Sequence, residues 1–434
     1  MNVQDFLNHE VNRRQFLESS AKNAAGMAVG VVGLSAATAR AGPSERIRLG
    51  VIGVRRQGRR LASEFAALRD VEIATLCDVD ARVLPAALKS VADVQSQRVR
   101  TERDFRRVLD DPTVDAVVIA APDHWHAGMT ISACQAGKDV YVESPLTHTV
   151  AEGERITAAI LHTGRIVQVG LQQRSGTHFR SATQVVRSGR LGAVKLARAW
   201  TVHRRKSIGT CQEGPIPANV DYDLWLGPAP QRPFTANRFH HNWRWFWDYG
   251  GGELADWGTH LLDVAVWGLG VSLPTRIASS GGRHVLRDDR ETPDTQMVTY
   301  NFPSAADPDD GRTILWEHRL WSDRGIEGRS AAVAFYGERG TLIVDRGGWK
   351  VYGSDESLTS DSSEQLSAHC RNFIDCIRSR REPAAPVEVG RVSSTLSHLG
   401  NIAYRLGREV IFDPSNSNFC NDTPANALLG STDI

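Results

Sequence analysis

Net charge is almost absent from this chain: 51 lysines and arginines stand against 50 aspartates and glutamates, with no long run of either sign. A nucleic-acid groove or a polybasic membrane patch needs a concentrated positive field, so the balance points away from both and toward a small-molecule or carbohydrate partner. Cysteine is scarce too. The six, at 77, 134, 211, 370, 376 and 420, have neither metal-site nor disulfide-framework spacing, so no metal is expected and most are read as small buried hydrophobes. Long apolar runs are missing as well. The mild stretch from Ala24 to Ala37 is too short and too rich in Gly and Ala to span a bilayer. No internal repeat or low-complexity domain is visible.

What is present begins with Asn12-Arg13-Arg14-Gln15-Phe16-Leu17, followed by that apolar stretch and by Ala39-Arg40-Ala41. The three in order read as a twin-arginine export signal over 1–41, cleaved near Ala41, so the mature protein is expected to be periplasmic or otherwise exported, with no membrane span left. A length of 434 residues suits two domains after such a leader.

From Ile47 the chain reads IRLGVIG, a buried strand, then a helix on which Leu61, Phe65 and Leu68 recur at helical spacing. Further strands are expected at 71–77, 115–122 and 139–143, with helices near 126–137 and 151–163. That alternation predicts a parallel sheet with right-handed crossovers, the dinucleotide-binding architecture, over 46–168. Asp78 ends the second strand, where a carboxylate accepts hydrogen bonds from the adenosine ribose and favours NAD over NADP. The fingerprint Gly53-Val54-Arg55-Arg56-Gln57-Gly58 keeps its first and third glycines but has Arg55 at the second. The Arg55 guanidinium either pairs with a phosphate or fills its place.

Residues 250–263 read GGGELADWGTHLLD. Asp256 and His260 are four apart, which on a helix puts a base and an orienting carboxylate on one face; Asp263 extends the polar stripe while Leu254, Trp257, Leu261, Val264 and Ala265 supply apolar faces. The plainer reading is a satisfied core histidine beside a capping aspartate. Between 238 and 247, RFHHNWRWFW alternates Trp243, Trp245 and Trp247 as on one face of an extended segment, suiting either a sugar ring or core packing. Stretches 366–379 and 391–408 look helical and are expected to pack back onto the sheet. Residues 413–434 read as an irregular C-terminal arm.

Together with Ala121-Pro122-Asp123-His124-Trp125-His126, the run 137–143, GRIVQVGLQQRS at 164–175 and YDLWLGPAPQRPF at 222–234, these segments resemble the Gfo/Idh/MocA oxidoreductases. The resemblance implies an α/β protein: a Rossmann domain, then a substrate and oligomerisation domain over 169–412 with an open, mostly antiparallel sheet, assembled as a dimer or tetramer. It implies cofactor contacts from Gly53, Arg55, Arg56, Gln57, Gly58 and Asp78, and from Ala121, Pro122, Asp123, His126 and Glu143. It implies hydride transfer between NAD and a sugar, sugar acid or cyclitol, with His260 as base and Asp256 orienting it. The family's E-K-P lysine is absent, because the motif reads Glu143-Ser144-Pro145; Ser144 donates a hydrogen bond but brings no charge. Arg204-Arg205-Lys206, after the strand VKLARAWTVH, are read either as a replacement cation, Lys206 reaching substrate, or as a solvated strand end. Arg174, Arg238, His240 and Trp245 are the expected substrate walls. The alternatives to a dehydrogenase are an NAD-dependent glycosidase working by transient oxidation and elimination, and a non-catalytic member.

Overall fold

The computed structural model describes residues 46–304, 310–361 and 364–430. The expected leader at 1–41 lies outside them. Strands β1 (Ile47–Ile52), β2 (Val71–Cys77), β3 (Arg100–Glu102), β4 (Ala116–Ile119), β5 (Asp139–Val142) and β6 (Val167–Val169) form a parallel sheet in the order β3-β2-β1-β4-β5-β6. In this doubly wound order the winding reverses between β1 and β4, and ligands bind at the carboxyl ends there. Apolar residues fill the central strands because both faces are covered: IRLGVI and AVVI are buried almost throughout. One face carries Phe65, Leu84 and Phe373, the other Met129, Cys134 and Ile156.

All four expected strands are there. The helix expected from 126 starts earlier, at Asp123, because Pro122 holds an extended N-cap conformation directly before it. Strands β3 and β6 have three residues each, too few to show a period.

The second sheet contains β7 (Val194–Val202), β8 (Arg276–Gly282), β9 (Thr295–Phe302), β10 (Arg312–Arg319), β11 (Ala331–Gly337), β12 (Gly340–Asp345), β13 (Gly348–Tyr352), β14 (Ser357–Thr359), β15 (Val410–Asp413) and β16 (Asn418–Phe419). Its order is β14-β13-β12-β11-β7-β10-β9-β8-β15-β16, antiparallel except for the β7–β10 pair. Burial alternates along β9: Gln296, Val298, Tyr300 and Phe302 face inward, and Met297 is half exposed on the open face. Helices Thr177–Arg187, Thr259–Leu269 and Val387–Leu406 cover the inner face, with Phe179, Leu262, Leu396 and Trp316 in one core.

Two C-terminal expectations change. The helix Glu364–Ser379 does not join this sheet; its Phe373 packs edge-on against Phe65 and Tyr141 at 6.1 and 5.9 Å, so it closes the first domain. The presumed arm is built in rather than irregular. Asn418–Phe419 pairs with β15, Thr423–Asn426 is helical, and Phe419, Ala425 and Leu429 are buried in the main core. Polar Ser, Asn and Asp residues masked these three anchors. Of the cysteines, 77, 134, 370 and 376 are buried, while 211 and 420 are not.

Candidate active site

A cleft of about 830 Å³ runs from the carboxyl ends of β1 and β2 to the start of the helix Thr259–Leu269. At one end, Gly53 has φ +80° and a Cβ there would stand 2.7 Å from the Ala120 carbonyl oxygen. A Cβ on Gly58 would stand 1.7 Å from the Gly53 oxygen. Only glycine permits this strand-to-helix turn. The helix Arg56–Ala66 that follows has no side-chain cap and no acid in its first turn, so its N-terminal amides remain available to an anion. Asp78 accepts from the Val54 and Asp80 amides at 2.9 and 3.0 Å, and burial pushes its carboxyl up to about 6. These residues fit a dinucleotide: a tight turn, free amides and a cleft-lining carboxylate share one wall.

Arg55 also lines this wall. Its guanidinium pKa is lowered, by burial first, while the charges of Asp78 and Asp80 oppose that shift. His240, expected on the substrate wall, belongs here instead. Its Nε2 is 2.8 Å from Asp80 Oδ2, and burial followed by the Arg55 charge brings its pKa down to about 4.

Gln57 and Glu143 contact each other, Nε2 to Oε1 at 2.8 Å, and Gln172 Nε2 donates to the same oxygen at 3.2 Å. Burial pushes the Glu143 carboxyl up to about 7 from an ordinary 4.5. The folded protein therefore holds this proton more tightly than the unfolded chain, so its contribution to stability is full below about 4.5 and is lost as pH rises through about 7. Asp78 acts alike over a lower window. In thermal melts, Glu143→Gln is expected to flatten the fall in Tm between about pH 4.5 and 7; an unchanged slope would exclude Glu143 as its source.

The Ala121–His126 segment divides between cleft and scaffold. Ala121, Pro122, Asp123 and His126 line the cleft. Yet both His126 nitrogens face carbonyls, Nδ1 to Pro145 at 2.6 Å and Nε2 to Ala121 at 2.8 Å, which makes the ring a brace between two loops. Asp123 is buried, and burial raises its carboxyl well above the usual range.

The candidate reaction centre joins the two domains. Ser144 Oγ and His260 Nε2 are 3.1 Å apart. Burial, then the Arg346 charge, brings His260 down to about 3, so the imidazole is neutral, and its buried Nδ1 has no hydrogen-bond partner among the described residues. Asp256 does not hydrogen-bond it. A π turn, Leu254–Gly258, precedes the α-helix and rotates Asp256 off the expected face. Its carboxylate lies 3.3 Å from Arg244 and 3.6 Å from Arg205 instead. Burial would raise its pKa, but Arg244, Arg205 and His260 outweigh that and hold it below the ordinary value. Asp256 reaches His260 only as a charge.

Several expected wall residues lie elsewhere. Arg174 makes a two-pronged pair with Asp263 at 2.7 and 2.9 Å beneath Trp267, in a separate surface groove, because the turn Gln172–Ser175 points it at the far side of the helix. Arg238 is buried among Tyr222 and Phe246 and bonds the Pro233 carbonyl. Lys206 is exposed outside the cleft; Arg205 takes the inward position, holding Glu253 at 2.9 Å. Residues His240–Trp245 form a 3₁₀ helix, which breaks the predicted alternation: Trp243 lines the cleft while Trp245 is 2% exposed in the core. Sequence reasoning missed Arg244, His241 and Arg346 as cleft residues, and Trp257 as a wall rather than an apolar packing face. The tryptophan-rich run offered a signal for the first two; nothing near Arg346 did.

The first domain matches the Gfo/Idh/MocA model described as an oxidoreductase family NAD-binding Rossmann fold over 47–171, and the second matches its C-terminal alpha/beta domain over 178–277 and 354–433. A glycosyl hydrolase family 109 protein of Shewanella pealeana is 30% identical over 212 residues, 45% of this chain and 46% of its own length. The chain thus spans about half the length of that curated relative. The uncharacterised oxidoreductase YrbE of Bacillus subtilis is 28% identical over 304 residues, 70% of this chain and 74% of its own. In fold, aldose-aldose oxidoreductase from Caulobacter crescentus, solved with glycerol, superposes with a TM-score of 0.65 at 21% identity, over 85% of this chain and 100% of that one. Turn, cleft and both domain models agree, and the chain belongs to the Gfo/Idh/MocA oxidoreductase family, with an N-terminal NAD-binding Rossmann domain.

Proposed function

We propose that this protein is an NAD-dependent oxidoreductase acting at a carbinol of a sugar, sugar acid or cyclitol. The observation that carries the reading is that the Gly53–Gly58 turn, Asp78 and the Ser144–His260 pair line one cleft. NAD, held by the turn, the helix amides and Asp78, supplies a hydride acceptor. The chain's own residues do the remaining work. His260 is neutral at working pH and takes the hydroxyl proton at Nε2, while Ser144 Oγ hydrogen-bonds the reacting group. Trp243 and Trp257, each with one face under an arginine, give the cleft apolar walls for ring C–H groups, and Arg205, Arg244 and His241 supply polar groups for the hydroxyl rim. The Asp78 carboxylate favours NAD over NADP because it accepts ribose hydroxyls and repels a phosphate.

A second reading, a glycosidase that oxidises transiently and eliminates, is favoured by Ser144 in place of the lysine and by the family 109 match. Incubation with NAD and neutral sugars, sugar acids, cyclitols and chromogenic glycosides separates the two. Reduced nicotinamide accumulating with a free sugar supports the first. Aglycone release without net reduction supports the second, and neither, from folded protein that binds NAD, leaves a non-catalytic member.

We further propose export by the twin-arginine route, supported by Arg13-Arg14 and Ala39-Arg40-Ala41. Lysine at both arginines is expected to retain the protein in the cytoplasm. A homo-oligomer joined through the open sheet face is supported by Met297 and Ile411, each about half exposed there; light scattering reads the assembly.

A further inference from the structure

Most charges at the reaction centre compensate one another. Asp256 sits between Arg205 and Arg244, and Glu253 takes the rest of Arg205. Arg346 is different. It stands in the tight turn between β12 and β13, where Asp345 pairs with Gly348 and accepts the Gly347 amide at 2.8 Å. Its guanidinium carbon is 4.5 Å from the centroid of the Trp257 ring, and it lines the cleft with Ser144, Asp256 and His260. Among the described residues no carboxylate pairs with it, whereas Arg205 and Arg244 each have one. The Glu143 and Asp256 carboxylates act on it only through space, burial lowers its pKa, and a cleft that keeps a partly buried cation with no ion-pair partner is preorganised for negative charge that arrives with the substrate or develops on it.

Placement narrows what that charge is. Trp257, the shelf under Arg346, is three residues before His260, so base and cation are fixed by the same turn. Arg346 also acts on His260 itself, as the second cause after burial of its lowered pKa.

We propose that Arg346 is the cation of the reaction centre, donating from its guanidinium to the carbinol oxygen whose proton goes to His260. This rests on the oxidoreductase reading above. In the step, the O–H pair stays on oxygen, the proton moves to His260 Nε2, the hydride leaves carbon for oxidised nicotinamide, and the oxygen pair closes the C=O bond. Arg346 remains protonated throughout, because guanidinium does not deprotonate at working pH. It offsets the partial negative charge for which Ser144 has no countercharge. The arginine comes from a hairpin about 200 residues beyond Ser144, by its number.

The test compares whole-chain wild type with Arg346→Met and Arg346→Lys. In Arg346→Met, kcat is expected to fall about a hundredfold or more, the loss typical of one transition-state donor. KM and NAD affinity stay close to wild type, and Arg346→Lys restores part of the rate. A second readout needs no turnover. His260 is faced by Ser144, Asp256, Arg346 and His369, and its ring titration by NMR is expected to move upward in Arg346→Met. A kcat within about threefold of wild type, a KM rise confined to sugar acids, or an unmoved His260 titration overturns the assignment. A wild-type protein that transfers no hydride from any sugar overturns the oxidoreductase reading, even where the His260 shift is seen.

Discussion

Replacing His260 with glutamine is expected to lower kcat about 10²- to 10⁴-fold, the range over which a positioned general base acts. Glutamine keeps a hydrogen-bonding group near Ser144 Oγ, now 3.1 Å from the imidazole, but accepts no proton. NAD affinity, set at the other end of the cleft, stays at the wild-type level in a fluorescence titration. The pH profile carries a second sign. Burial and Arg346 bring His260 down to about 3, so the base form is present from about pH 4 upward. The rate of the free protein should show no ascending limb in the ordinary histidine range near 6.5. Turnover within about tenfold of wild type in His260→Gln would remove the histidine from the chemistry.

Gly58→Ala is expected to weaken NAD binding by about ten- to a hundredfold, as overpacking strain of about 1–3 kcal/mol is relieved by opening the turn. The added Cβ would meet a backbone oxygen, Gly53 O at 1.7 Å, and backbone cannot rotate away as a side-chain tip does. Gly128→Ala is the control. It lies in the helix Asp123–Gln135 with nothing within 4 Å of its added Cβ, and NAD affinity should be unchanged. Equal affinities in the two variants would show that the turn does not hold the cofactor.

What was legible in the sequence follows from what makes a local pattern. The buried strands at 47–52 and 71–77 are apolar because helices cover both faces, and Asp78 is placed by the end of its strand; both read directly from order along the chain. The Asp256–His260 spacing was visible, but the π turn between them was not, since one extra backbone residue per turn leaves no trace in composition. The partner of Asp256 was therefore misread. Arginine walls failed for a different reason. Motif position places Arg174 and Arg238, and strand-end charge places Lys206, whereas a long side chain goes to whichever carboxylate, carbonyl or solvent the packed fold offers it. Arg346 shows the converse, a cleft residue with no motif around it, brought in by sheet topology alone.

The most direct measurement is a single turnover, with the protein in excess over NAD, against a panel of sugars, sugar acids and cyclitols deuterated at their carbinol carbons. The account predicts reduced nicotinamide carrying deuterium with at least one member of the panel, formed by wild type and lost in His260→Gln. Tight NAD binding with no deuterium transferred from any substrate would contradict it.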